Sequence, residues 1–146
     1  MFLLSFQLMK PKQLEISQTL DFLAEDPDLR LAIVFGSIAD GSHRPDSDID
    51  VAVYAHNKMD PRKRQQLSDD IAAATGRTVD LIDLHSVDGA LLRQILHSGR
   101  IVFSKEPSTL GILSERLLDW QENFEPQLNN LLITRLRRFT SPVHGS

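Results

Sequence analysis

The stretch Phe35–Val53, FGSIADGSHRPDSDIDVAV, joins a glycine–serine pair, Gly36-Ser37, to an acidic pair, Asp48 and Asp50, across a ten-residue spacer. The overlapping run Ile49 to Ala55 (IDVAVYA) is β-rich and alternating, so it reads as a strand. Side chains alternate across a strand, which sends Asp48 and Asp50 one way and Ile49 and Val51 the other, into a core. Two carboxylates about 5 Å apart repel by roughly 3 kcal/mol at an effective dielectric near 20. Such an arrangement is costly unless something positive binds there. An all-oxygen ligand set favours magnesium, manganese or calcium over zinc. In phosphoryl and nucleotidyl transfer, a pair of such ions clamps the entering and leaving oxygens of an in-line displacement.

The glycine–serine pair suits the other half of that chemistry. Gly36 closes an apolar run and lets the backbone approach a ligand closely. Ser37 offers a hydroxyl, and backbone N–H groups at the turn are able to receive phosphate oxygens. Gly41 gives the loop a second permissive point. A triphosphate is expected between this turn and the metal-bearing carboxylates. A third acid is required as metal ligand or as base, and the run Thr78 to Leu84 (TVDLIDL) offers Asp80 and Asp83. These two have opposite strand parity, so only one shares the active face. Asp80 is preferred, because Val79 and Leu81 then both turn to the core. Asp46 follows a proline and reads as a turn residue.

Working outward, Leu29 to Phe35 is a short apolar run that suits a buried strand. Upstream, Ile16, Leu20, Leu23 and Ala24 recur with helical period, predicting one amphipathic helix from Pro11 to about Glu25. Downstream, Asp60-Pro61 is an N-cap followed by proline at the first helical position, with Gly76 as the stop and Leu67, Ile71 and Ala74 as the buried face. Ser86 is the expected cap of a helix to about Ser98, with Leu91, Leu92, Ile95 and Leu96 inward and Gly99 ending it. Arg100 to Ser104 (RIVFS) reads as a fourth strand. A helix after Pro107 carries Leu110, Leu113, Leu117, Trp120 and Phe124 on one stripe, read mainly as core with its exposed part an interface. Pro126 should break that helix, after which Leu128, Leu131, Leu132 and Phe139 form a second stripe ending in Arg135 to Arg138. The order implies an α/β fold: a mixed sheet of about four strands flanked by helices, with a helical C-terminal tail.

The chain has 146 residues, which suits a single domain over 1–146. Within it, residues 1–10 read as a lead-in segment, about 11–105 as the catalytic core and about 107–140 as C-terminal helices. There is no cysteine, so disulfides and thiolate metal sites are excluded, in keeping with a cytoplasmic setting. The apolar start, Met1 to Met9, lacks a basic leader and is too short to span a bilayer. The net charge of −4 speaks against a surface built for nucleic-acid backbones. The five histidines show no metal-ligand spacing. The cluster Arg62, Lys63 and Arg64 is favoured as a solvated helix face over a phosphate contact.

Taken together, Gly36-Ser37, the spacer, Asp48-x-Asp50 and the later Val-Asp80-Leu resemble the signature of minimal nucleotidyltransferases of the DNA polymerase β-like superfamily. The longer text, with TVDLIDL and LLRQILHSGRIVF following, resembles the MNT antitoxins of HEPN–MNT toxin–antitoxin pairs, from about Leu31 to Phe103. That resemblance implies a compact α/β nucleotidyltransferase fold, Mg²⁺ as cofactor and ATP as substrate. It implies transfer of AMP to a tyrosine hydroxyl of a cognate HEPN ribonuclease toxin, and a hetero-oligomer with that toxin. On matching positions, Gly36 and Ser37 would hold phosphate, and Asp48, Asp50 and Asp80 would bind metal and carry catalysis. Relatives often carry an arginine soon after the Gly-Ser pair, where this chain has Asp40; Arg44 is a replacement further along the loop. Two other readings stand beside this one: transfer to a small-molecule hydroxyl, and a non-catalytic module that neutralises its partner by contact.

Overall fold

Two apolar runs make the centre of the sheet. β1 (Leu29–Phe35) and β2 (Ile49–Ala55) pair antiparallel, and every residue in them is buried except Arg30, Asp50 and Tyr54. Strands covered on both faces read as continuous apolar runs, which is why LRLAIVF shows no alternation. β3 (Val79–Asp83) lies parallel to β2, and β4 (Arg100–Ser104) antiparallel to β1, so the order is β3-β2-β1-β4. This is the expected mixed, four-stranded sheet. The computed structural model describes residues 11–36 and 48–124, with side chains from residue 15 onward. The lead-in segment, Ser37 to Ser47, and the tail from Glu125, with its proline break and arginine run, lie outside the described residues.

Each face of the sheet has its own apolar layer. On one face α1 (Pro11–Thr19), the 3₁₀ helix Leu20–Glu25 and α2 (Pro61–Thr75) bring Leu20, Leu23, Leu67 and Ile71 against Val34, Ile49, Val51 and Val53. On the other, α3 (Gly89–Ser98) and α4 (Pro107–Asn123) bring Leu92, Ile95, Leu113 and Leu117 against Ile33, Phe35 and Ala52. Because β2 and β3 are parallel, the chain must cross over between them, and α2 is that crossover. Its ends follow the sequence reading: the Asp60 side chain accepts from Lys63 N–H at 2.7 Å, Pro61 occupies the first turn, and Gly76 closes it at φ 68°. Among the described residues, no helix is long and apolar enough to cross a membrane.

The structure corrects several expectations. The first helix does not run unbroken to Glu25 but tightens to 3₁₀ geometry at Leu20. With three residues per turn, Leu20 and Leu23 then stack on the same side, and both are buried. Ala74 is exposed, and Leu67 and Ile71 alone are the fully buried residues of α2. Ser86 is not the cap of the next helix; its N–H bonds the Asp83 carbonyl in a turn, and α3 begins only at Gly89. From that later start Leu92, Ile95 and Leu96 make the inward stripe, and Leu91 is turned out. Thr78 and Leu84 flank the third strand rather than belonging to it, although both still bond backbone to β2. Phe124 sits at the end of α4 with about half its surface exposed, so the core stripe ends at the half-buried Trp120.

Two polar clamps tie the layers together. Arg116 of α4 donates to the carbonyls of Leu84 and Val87 and pairs with Asp88 at 3.0 Å, fixing the β3–α3 loop. Asp26 anchors the entry to β1. Its carboxylate accepts from the Lys63 ammonium of α2 and from Asp28 N–H, while Lys105, just past β4, donates to its carbonyl at 2.7 Å. Burial pushes the Asp26 carboxyl up, but the Lys63 hydrogen bond, the Asp28 N–H and the charges of Lys63 and Lys105 outweigh it, and the pKa falls below its ordinary value. A carboxyl lowered on folding adds stability above its unfolded pKa and loses it as pH drops through the folded one. Asp26→Asn is therefore expected to cost about 1 kcal/mol at neutral pH. In denaturant melts at a series of pH values, the gap between variant and parent should close only below the ordinary carboxylate range.

Candidate active site

The acidic site is built by strand register. Phe35, the last residue of β1, pairs with Asp50, and Asp50 in turn pairs in parallel register with Asp80. Paired residues project to the same face, and neighbouring strands are about 4.8 Å apart, so these two carboxyls stand side by side. They emerge on the sheet face that carries Phe35 and Ala52, at the edge where β1 ends and β2 and β3 begin. Asp48 lies one residue before β2 and is exposed. Ile49 and Val51 are fully buried beneath, and Leu81 nearly so, which leaves the intervening acids no direction but outward.

The electrostatics bear the mark of crowding. Burial raises the Asp50 pKa first; the charges of Asp80 and Asp48 raise it further, as does a proton shared with the Asp80 carboxyl. All three predicted acids thus act on one point, and among the described residues no basic side chain is a cause of the Asp50 shift. The donor atoms are all carboxylate oxygens, the set a hard divalent cation takes. Among the described residues, no three His, Asp or Glu side chains stand together in a group that could hold a metal ion. The Asp50–Asp80 pair with Asp48 at its rim is an open acidic shelf.

Gly36 has a role the sequence reading did not foresee. It sits at φ 72°, a conformation that L side chains rarely adopt, and a Cβ built there would collide with the Asp50 carboxylate oxygen. What approaches the bare glycine is therefore the catalytic-pair candidate itself. Ser37, Asp40, Gly41, Arg44 and Asp46 lie outside the described residues.

Asp80 and Asp83 have different surroundings, and only Asp80 stands beside Asp50. Asp83 is 3% exposed, and its two oxygens accept from Met59 N–H at 3.0 Å and His85 N–H at 2.9 Å. It pins the loops at the opposite end of β3 and does not reach Asp50. Nor are the basic residues at the start of α2 simply a solvated face. Lys63 holds Asp26, and Arg64 donates to the Leu81 carbonyl at 2.8 Å on the open side of the edge strand, beside Asp80. Composition alone carried no sign of that bond, because it depends on β3 being an edge. Likewise His85 stacks on Tyr54 with centroids 4.2 Å apart and bonds the Ala55 carbonyl, a structural use in line with the missing metal spacing.

Comparison with known proteins places this geometry. The sequence family described as polymerase beta, nucleotidyltransferase matches residues 17–108. The protein adenylyltransferase MntA of Shewanella oneidensis is 34% identical over 90 residues, which are 61% of this chain and 65% of that protein. The alignment thus spans about two thirds of the curated relative. Among solved structures, a chain of a toxin–antitoxin crystal structure with AMP-PNP superimposes with a TM-score of 0.70 at 26% identity, covering 82% of this chain and 98% of that one. A chain from the complex of tri-AMPylated Shewanella oneidensis HEPN toxin with MNT antitoxin shares the fold with a TM-score of 0.67 at 23% identity, covering 85% and 98%. The family match covers most of the chain and includes β1 to β4 with the Asp48, Asp50 and Asp80 positions, and on that ground the chain belongs to the polymerase β-type nucleotidyltransferase family.

Proposed function

We propose that this chain is a Mg²⁺-dependent protein adenylyltransferase acting as an antitoxin, which transfers AMP from ATP to a tyrosine hydroxyl of a cognate HEPN ribonuclease toxin in the cytoplasm. The observation that carries the reading is the β2–β3 register, which sets Asp50 against Asp80 beside a glycine at positive φ whose missing Cβ leaves space for the Asp50 carboxylate. Support for the acceptor comes from the relatives, one of them a protein adenylyltransferase and another solved with an AMPylated toxin.

In this reading Asp48, Asp50 and Asp80 would hold the divalent cations, whose charge would offset the crowding at Asp50, and Gly36 and Ser37 would receive the triphosphate. Bound there, the metal supplies charge neutralisation and in-line alignment of the reacting oxygens. Asp80, on the edge strand, faces outward and accepts the proton of the incoming hydroxyl. The hydroxyl oxygen bonds to the α-phosphorus, the bond to the β-phosphate oxygen breaks, and pyrophosphate leaves. AMP added beside a ribonuclease site then repels RNA by bulk and by like charge.

The direct test is incubation with labelled ATP, magnesium and the product of the neighbouring gene, followed by mass measurement of that product. Added AMP on a tyrosine supports the proposal; label on a small hydroxyl compound alone, or neutralisation with no label, overturns it. Asp50→Asn should lower transfer by roughly 10²-fold or more, as loss of a key electrostatic group does. The same variant should melt higher than the parent without metal, by about 3–6 °C if ~1 kcal/mol of carboxylate repulsion is relieved, and a lower melting point would contradict the crowding seen here. Gly36→Ala should remove transfer as completely while costing about 1–2 kcal/mol of stability from the left-handed backbone alone, read from a denaturant melt.

A further inference from the structure

The edge of the sheet that carries the acids also carries an arginine. Across that edge, in the strand order β3-β2-β1-β4, stand Asp80, Asp50, Gly36 at the end of β1, and Arg100 as the first residue of β4. Arg100 pairs with Val34, two residues before Gly36, and its strand lies two spacings, about 10 Å, from the strand of Asp50. Val34 belongs to the apolar layer opposite the one that holds Phe35. Arg100 and Asp50 therefore flank the end of β1 from opposite faces.

The other partly buried arginines are all engaged. Arg30 pairs with Glu106, Arg116 with Asp88, and Arg77, which leads into β3 at the same edge, has its own partner. Arg100 differs. Its Nε is shut off from water and has no hydrogen-bond partner, and among the described residues it is the one buried side-chain nitrogen or oxygen left in that state. A buried donor without an acceptor is costly and rare in folded proteins. Here it belongs to a group that offers a positive charge and five N–H donors in a planar fork, a shape matched to phosphate oxygens.

The chemistry of the site says which phosphates would meet it. In an in-line displacement the entering and leaving oxygens stand on opposite sides of the phosphorus. The acceptor hydroxyl enters beside Asp80 on β3, so the leaving group points the other way, over Gly36 toward β4. A triphosphate whose α-phosphate sits at the acids thus extends its terminal phosphates toward Arg100. We propose that Arg100 is a phosphate-binding residue, holding the β- and γ-phosphates of the nucleoside triphosphate and then the pyrophosphate that leaves. The assignment rests on the nucleotidyl-transfer reading of Asp48, Asp50 and Asp80 and adds to it the group that receives the departing charge.

The test is calorimetric binding to the full chain, in magnesium, of three probes: AMP, α,β-methylene-ATP and pyrophosphate. Arg100→Met keeps the apolar stem and removes the donors. It should weaken α,β-methylene-ATP and pyrophosphate by about tenfold or more while changing AMP by less than about twofold, the signature of a lost charge-assisted contact to the terminal phosphates alone. Arg100→Lys, which keeps the charge without the fork, should recover part of the pyrophosphate affinity. Without ligand, Arg100→Met should melt no lower than the parent, because the unpaired buried donor is gone. Equal pyrophosphate affinity in parent and Arg100→Met overturns the assignment and leaves the reading of the acids standing. Equal losses for AMP and pyrophosphate, or a lower melting point with no recovery in Arg100→Lys, also overturn it, since they make Arg100 a structural residue. A parent chain that binds neither α,β-methylene-ATP nor pyrophosphate removes the nucleotidyl-transfer reading, and this assignment with it.

Discussion

The parallel ladder between β2 and β3 is the constraint on which the site depends. It pairs Asp50 with Asp80 and leaves no choice about which carboxyls meet. Register in a sheet is all or nothing, since a slip of one residue sends every side chain to the other face. Here such a slip would bury Asp50 and Asp80 in the layer now held by Val51 and Leu81, at a cost of several kcal/mol for each uncompensated charge. The apolar residues between the acids thus lock the acids in place, and the core and the site are specified by the same pairing.

A site assembled this way is under internal tension. Burial and two neighbouring charges all oppose ionisation of Asp50, and its carboxylate lies where a Cβ on Gly36 would stand. The fold sustains the tension because the strands beneath are almost wholly buried and the loops at the far end are tied down. Asp83 bonds Met59 and His85, Arg116 bonds Leu84 and Val87, and Asp26 gathers Lys63 and Lys105. Crowded acids at one end and satisfied polar clamps at the other are the division expected of a scaffold that carries strain where it binds and spends none elsewhere.

Two aspartates three residues apart on β3 show how different the outcomes of one residue type are. Asp80 meets another carboxyl and solvent; Asp83 meets two backbone N–H groups and is buried. Strand parity predicts that they diverge. Which one faces the acidic partner follows from the position of β2, and why the other is tolerated inside follows from donors that arrive from the 56–60 loop and from the turn after β3.

Much of the architecture was legible in the linear order of residues. β1, β2 and β4 lie where apolar runs place them, and α2 is bounded by its Asp60-Pro61 and Gly76 signals. These features are local: they depend on side-chain period and on cap chemistry within a few residues. What tertiary structure alone decided is everything that needs two distant segments. Strand order made β3 an edge and so gave Arg64 a carbonyl to bond; the packing of α2 and α3 on the sheet left Ala74 and Leu91 outside; and the approach of β2 to the end of β1 made Gly36 a seat for Asp50. The physical reason is that periodicity specifies which way a side chain points, while the neighbour it finds there depends on how the elements pack.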